Sequence, residues 1–145
     1  GEPRYVSGLK HLVQRKDSTG RVVFTGWLKG SEKAAALQQA ALLVMPSRQE
    51  NFGLSVAEAM TCGVPVLVSR QVNLAEEIEA VGAGWVSPLD PTSLSQTLEE
   101  ALMQGDERIS RGLAGQELAR SRFTWSAVGE GLAALYRSVS KPRDT

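Results

Sequence analysis

The chain has 145 residues, which fits a single domain and is long enough to bury a real core. Lys plus Arg and Asp plus Glu balance at 16 each, so no charge excess points to an acidic membrane surface, and no nucleic-acid partner is expected. The one cysteine, Cys62, excludes an internal disulfide, and no apolar run reaches membrane-spanning length.

The opening Gly1-Glu2-Pro3-Arg4 has neither an initiator methionine nor a signal-peptide pattern, so a start part-way along a longer protein is expected. Tyr5, Val6, Leu9, Leu12 and Val13 recur at helical spacing and predict a helix over 4–16. Asp17-Ser18-Thr19-Gly20 is a turn cluster. Val22-Val23-Phe24 is apolar, β-branched and too short for a helix, so a strand is expected there, ending at Thr25-Gly26. Ser31 and Glu32 open a second helix expected to run through Ala41.

Leu42 to Met45 is the next apolar run, stopped by Pro46. A helix fits 54–62, with Gly63 and Pro65 as its stop. Val64 to Val68 reads as a wholly apolar strand, 73–81 as a short helix and Trp85-Val86 as a short strand. Three helices then fit 92–104, 106–121 and 125–139, with Asp90 and Thr124 as starts. The tail 141–145 is expected to fray. Strands apolar on both faces, alternating with helices, argue for an α/β fold: a Rossmann-like parallel sheet with helices on both faces and a helical C-terminal end.

Ligands of such sheets bind outside the carboxyl ends of the strands. Three loops are expected on that rim: 25–30, 46–53 and 69–74, each with a cation, Lys29, Arg48 or Arg70. Two of them lead into helices whose free N–H groups can receive an anion, which suits a phosphate-bearing small molecule. Glu50 falls in the second loop and Glu58 about a turn into the helix after it. A carboxylate can accept two neighbouring hydroxyls, so the pair could hold two sugar rings on either side of a diphosphate. Gly53 would let the backbone approach the ligand with no Cβ in the way.

The run Pro46-Ser-Arg-Gln-Glu-Asn-Phe-Gly-Leu-Ser-Val-Ala-Glu-Ala-Met-Thr-Cys-Gly-Val-Pro-Val-Leu-Val-Ser69 resembles the Glu-x7-Glu signature of retaining glycosyltransferases of family 4, the group 1 transferases. Arg21 to Trp27, Gly82 to Pro91 and Phe123 to Ser126 resemble other segments of that family in the same order. The resemblance implies the C-terminal, donor-binding half of a GT-B fold, over residues 1–140 and lacking its first strands. It implies Glu50 at the transferred sugar, with Phe52, Gly53 and Leu54 offering backbone N–H groups to sugar and diphosphate. It also implies Glu58 on the ribose hydroxyls, and Trp27 and Leu28 near the base. The donor would be a nucleotide-diphosphate sugar, with no cofactor and no essential metal.

The family's basic pair for the diphosphate would precede Gly1, and the N-terminal acceptor domain is also outside the chain. This chain alone is therefore expected to be inactive. Asn73 stands where many members have glycine. The resemblance implies a cytoplasmic setting, with any contact at the inner membrane made through the absent domain, and a part in polysaccharide or glycolipid synthesis. Another GT-B enzyme, such as a nucleotide-sugar epimerase or a phosphorylase, and a non-catalytic scaffold domain are the alternatives. Blander roles compete at single residues. Ser55-x-x-Glu58 fits a capping box, Trp27 could be turn packing, and His11 reads as a surface residue.

Overall fold

The computed structural model describes residues 2–16 and 20–140, in two compact units, Gly1–Gly30 and Ser31–Thr145. Most of the expected 17–20 turn and the expected fraying of 141–145 lie outside the described residues.

In the first unit, α1 (Pro3–Arg15) forms as its periodicity predicts. Pro3 sits in the first turn, where a missing N–H breaks no helical bond. Val6, Leu9 and Val13 form its half-buried face, and His11 is exposed. The expected strand at Val22–Phe24 does not form. Only Val22 makes an isolated bridge, while Val23 and Phe24 stay exposed. β-branched residues favour extended backbone, but a strand needs a paired neighbour, and among the described residues this segment has no ladder. Phe24 instead lies under the Lys10 ammonium, 5.8 Å from the ring centroid.

The second unit carries the sheet. Its elements are α2 (Gly30–Gln38), β1 (Leu43–Met45), α3 (Leu54–Thr61), β2 (Val66–Ser69), α4 (Ala75–Val81) and β3 (Gly84–Ser87). The helical end follows as α5 (Pro91–Met103), α6 (Gly105–Arg122) and α7 (Trp125–Val139). The strands are parallel in the order β1-β2-β3, with Val44 beside Leu67 and Leu67 beside Trp85. Every residue of β2 is buried, as its uninterrupted apolar run requires of a central strand.

Successive side chains of a strand point to opposite faces. Val66 and Val68 therefore join Val56, Met60, Ile78 and Leu118 on one face, under α3, α4 and α6. Leu67 and Trp85 join Ala101 of α5 on the other. Full burial of side chains such as Met60, Leu67 and Ile78 contributes about 1.5–3 kcal/mol each.

The element ends follow local chemistry. α2 stops short of the expected Ala41 because its last turn tightens into an Ala40 N–H to Leu37 carbonyl bond, 3.0 Å, which sets both residues against the core. Asp90 caps α5 by accepting from Ser93 N–H at 2.8 Å, and that bond holds its carboxyl below the ordinary 3.8. Thr124 caps α7 through Ala127 N–H at 3.2 Å. α6 approaches the end of α3 through small residues: Gly112 and Gly115 are both buried.

Candidate functional site

β1 and β2 run parallel, so the loops that follow them, 46–53 and 70–74, leave the same rim of the sheet. Loop 25–30 leaves no strand, because the expected strand before it is absent. Arg48 and Arg70 are exposed on the two rim loops.

The two loops are laced together. Glu50 forms a parallel bridge with Val72, its N–H donating to Gln71 carbonyl at 3.4 Å and its carbonyl accepting from Asn73 N–H at 3.1 Å. Asn73 adds its side-chain amide, which donates to Asn51 carbonyl at 2.8 Å. Glycine at 73 could not make that bond, so Asn73 fastens one loop to the other. Below them, buried Ser69 donates through Oγ to Ser47 carbonyl at 2.5 Å.

Within the loop, Glu50 folds back on its own backbone. Its Oε1 accepts from Gly53 N–H at 3.1 Å and, more weakly, from Phe52 N–H at 3.4 Å. Gly53 then turns the chain into α3 with φ +75°, a left-handed conformation that glycine adopts freely. It is buried, and its carbonyl accepts from Val56 and Ala57 N–H at 2.8 and 3.1 Å. The first-turn N–H groups of Leu54 and Ser55 face the helix's amino end, where no intrahelical carbonyl reaches them. Phe52 is held from the other side by an edge-on contact with Phe123, 5.4 Å between centroids.

The helix begins at Leu54, so Ser55 lies inside it and Gly53 occupies the N-cap position with no side-chain cap. The capping box that Ser55-x-x-Glu58 could have made is therefore not formed. Glu58 stands in the second turn, and its Oε1 meets Lys33 Nζ of α2 at 2.5 Å. It also borders a groove of about 500 Å³ along α3, with Phe52, Leu54, Phe123, Trp125 and Val128 on its walls. A cavity of similar size, about 480 Å³, touches Gly63, Pro65 and Gly105. It lies at the amino ends of the strands, the opposite end from where ligands of parallel sheets bind.

The site residues read from the sequence thus fall into two groups. Glu50, Phe52, Gly53, Leu54 and Glu58 come together around the amino end of α3. Trp27, exposed, and Leu28, half-buried, belong to the 1–30 unit. Sequence reasoning missed Lys33. It stands 25 residues from Glu58, and only the return of the chain from α2 through β1 to α3 brings the two together.

The family described as "Glycosyl transferases group 1" matches residues 1–104. A GDP-mannose-dependent monoacylated alpha-(1-6)-phosphatidylinositol monomannoside mannosyltransferase of Corynebacterium glutamicum is 30% identical, over 95% of this chain and 38% of its own length. The serotype-specific mannosyltransferase WbdA of Escherichia coli is 34% identical, over 90% of this chain and 17% of its own. Among solved structures, sucrose-phosphate synthase from Thermosynechococcus elongatus superposes with TM-score 0.80 at 30% identity, covering 90% of this chain and 33% of that one. The chain spans little more than a third of these relatives at most.

Proposed function

The chain belongs to the group 1 glycosyl transferases, and from that premise we propose that it is the donor-binding part of a retaining transferase that takes its sugar from a nucleotide-sugar. The observation that carries this reading is the grouping at the amino end of α3. Two carboxylates, Glu50 and Glu58, flank a glycine-opened first turn on the ligand rim of a parallel sheet. The name of the GDP-mannose-dependent relative supports a nucleoside-diphosphate donor.

Glu58 accepts hydroxyls of the ribose. The diphosphate lies at the first turn of α3, where backbone N–H groups and the helix dipole favour an anion. In the free protein, Phe52 and Gly53 N–H are engaged by Glu50. Donor binding exchanges these bonds for bonds to the ligand and turns the Glu50 carboxylate towards the sugar hydroxyls. As the bond from the anomeric carbon to the diphosphate oxygen breaks, that oxygen keeps the electron pair. The same N–H groups then stabilise its growing charge. The acceptor hydroxyl attacks from the face the diphosphate leaves and passes its proton to the departing diphosphate oxygen. This chain spans 38% of the length of the mannosyltransferase relative, so the reading assigns it donor binding and leaves acceptor binding to the rest of such a transferase.

Ligand-detected NMR of this chain with UDP, GDP and ADP tests the reading. One nucleotide is expected to give a signal at millimolar concentration, and Glu58→Gln is expected to weaken it about tenfold. Equal signals from the wild-type and Glu58→Gln chains would remove Glu58 from the site.

A further inference from the structure

The Lys33–Glu58 pair calls for a role other than stability. Its side chains are 43% and 40% exposed, and an isolated ion pair so open to water adds little to folding. It does have a geometric consequence. A glutamate on a helix surface samples several rotamers, and ordering it for a ligand has an entropic cost. Here Lys33 Nζ holds Oε1 at 2.5 Å, while Oε2 makes no hydrogen bond to the described residues. One oxygen anchors the side chain and the other stays open to solvent chemistry.

We propose that Lys33 is a positioning residue for Glu58: it fixes the carboxylate through Oε1 and leaves Oε2 to accept from the vicinal hydroxyls of the donor's ribose. The inference rests on the reading of Glu58 as the ribose ligand. It makes α2 part of the site, through a cation that touches the ligand's partner and not the ligand.

The test compares each of UDP, GDP and ADP with its 2′,3′-dideoxy counterpart, by NMR titration of this chain. The wild type is expected to prefer the ribonucleotide by about tenfold or more, the effect of one hydrogen bond to a charged acceptor. Lys33→Met is expected to cut that preference to about threefold or less and leave affinity for the dideoxy nucleotide unchanged. Lys33→Arg, which can still reach the carboxylate, is expected to restore most of the preference. A Lys33→Met chain that keeps the full preference overturns the proposal. One that loses both nucleotides equally also overturns it, since Lys33 would then touch the ligand or support the site in general. Glu58→Gln separates the two levels. If it abolishes the preference while Lys33→Met does not, only the positioning role falls. If it leaves the preference intact, or if no nucleotide binds the wild type, the ribose reading falls and this proposal with it.

Discussion

Glu50→Ala is expected to lower sugar transfer by about 10²–10³-fold, measured in the whole transferase that the proposed function implies. The proposed function gives the carboxylate two tasks. In the free protein it accepts from Gly53 and Phe52 N–H and so shapes the loop. With donor bound it faces the sugar. Alanine removes both, and leaving buried Gly53 without its acceptor costs about 1–2 kcal/mol of stability as well. Glu50→Gln separates the tasks, because its amide oxygen can still accept from Gly53 N–H while the charge is gone. Its thermal unfolding is expected to match the wild type, and its transfer rate to stay low. Wild-type transfer by Glu50→Ala would take Glu50 out of the site.

The second large effect is structural. Gly112→Ala is expected to destabilise the fold by about 2–3 kcal/mol, a fall in Tm of roughly 5–10 °C for a domain of this size. A Cβ at 112 would lie 2.2 Å from the Gly63 carbonyl oxygen and 3.3 Å from Pro65 Cδ. Those atoms belong to the turn between α3 and β2, which cannot swing aside as a side chain does, so α6 would have to lift from the sheet. Gly129→Ala is the matched control. It lies inside α7 with nothing within 4 Å of its Cβ position, and there alanine is expected to be neutral or to stabilise by up to about 1 kcal/mol. Thermal melts of the two variants side by side check the contrast. A Gly112→Ala chain as stable as Gly129→Ala would mean that helix propensity dominates and the close contact with the Gly63 turn does not.

Much of the fold was legible because it rests on local signals. The uninterrupted apolar run around Val66–Val68 announced a buried parallel strand, and Asp90 and Thr124 announced the helices they cap. Gly63, at φ +75°, ended α3 as its position suggested. The failures are of another kind. Val22–Phe24 has the composition of a strand, but a strand depends on a partner, which composition does not contain. At the proposed site, Glu-x7-Glu and the glycine at 53 marked the loop and turn that open α3. The rotamer choices were not legible. That Glu50 would close on its own loop and that Asn73 would fasten Asn51 both depend on loop geometry, whereas the helix start expected at 54 already placed Ser55 inside α3. Lys33 was hidden for a related reason: its meeting with Glu58 is a product of topology, and nothing in the residues around it marks it.

The central claim is that a nucleoside diphosphate sits at the amino end of α3. Amide chemical-shift mapping of the 15N-labelled chain tests it most directly, with the nucleotide that binds added to saturation. The largest shifts are expected at the N–H groups of Phe52, Gly53 and Leu54, because two of these exchange a bond to Glu50 for a bond to the ligand. Shifts gathered instead around Gly63, Gly105 and Arg108, at the opposite end of the strands, would contradict the account.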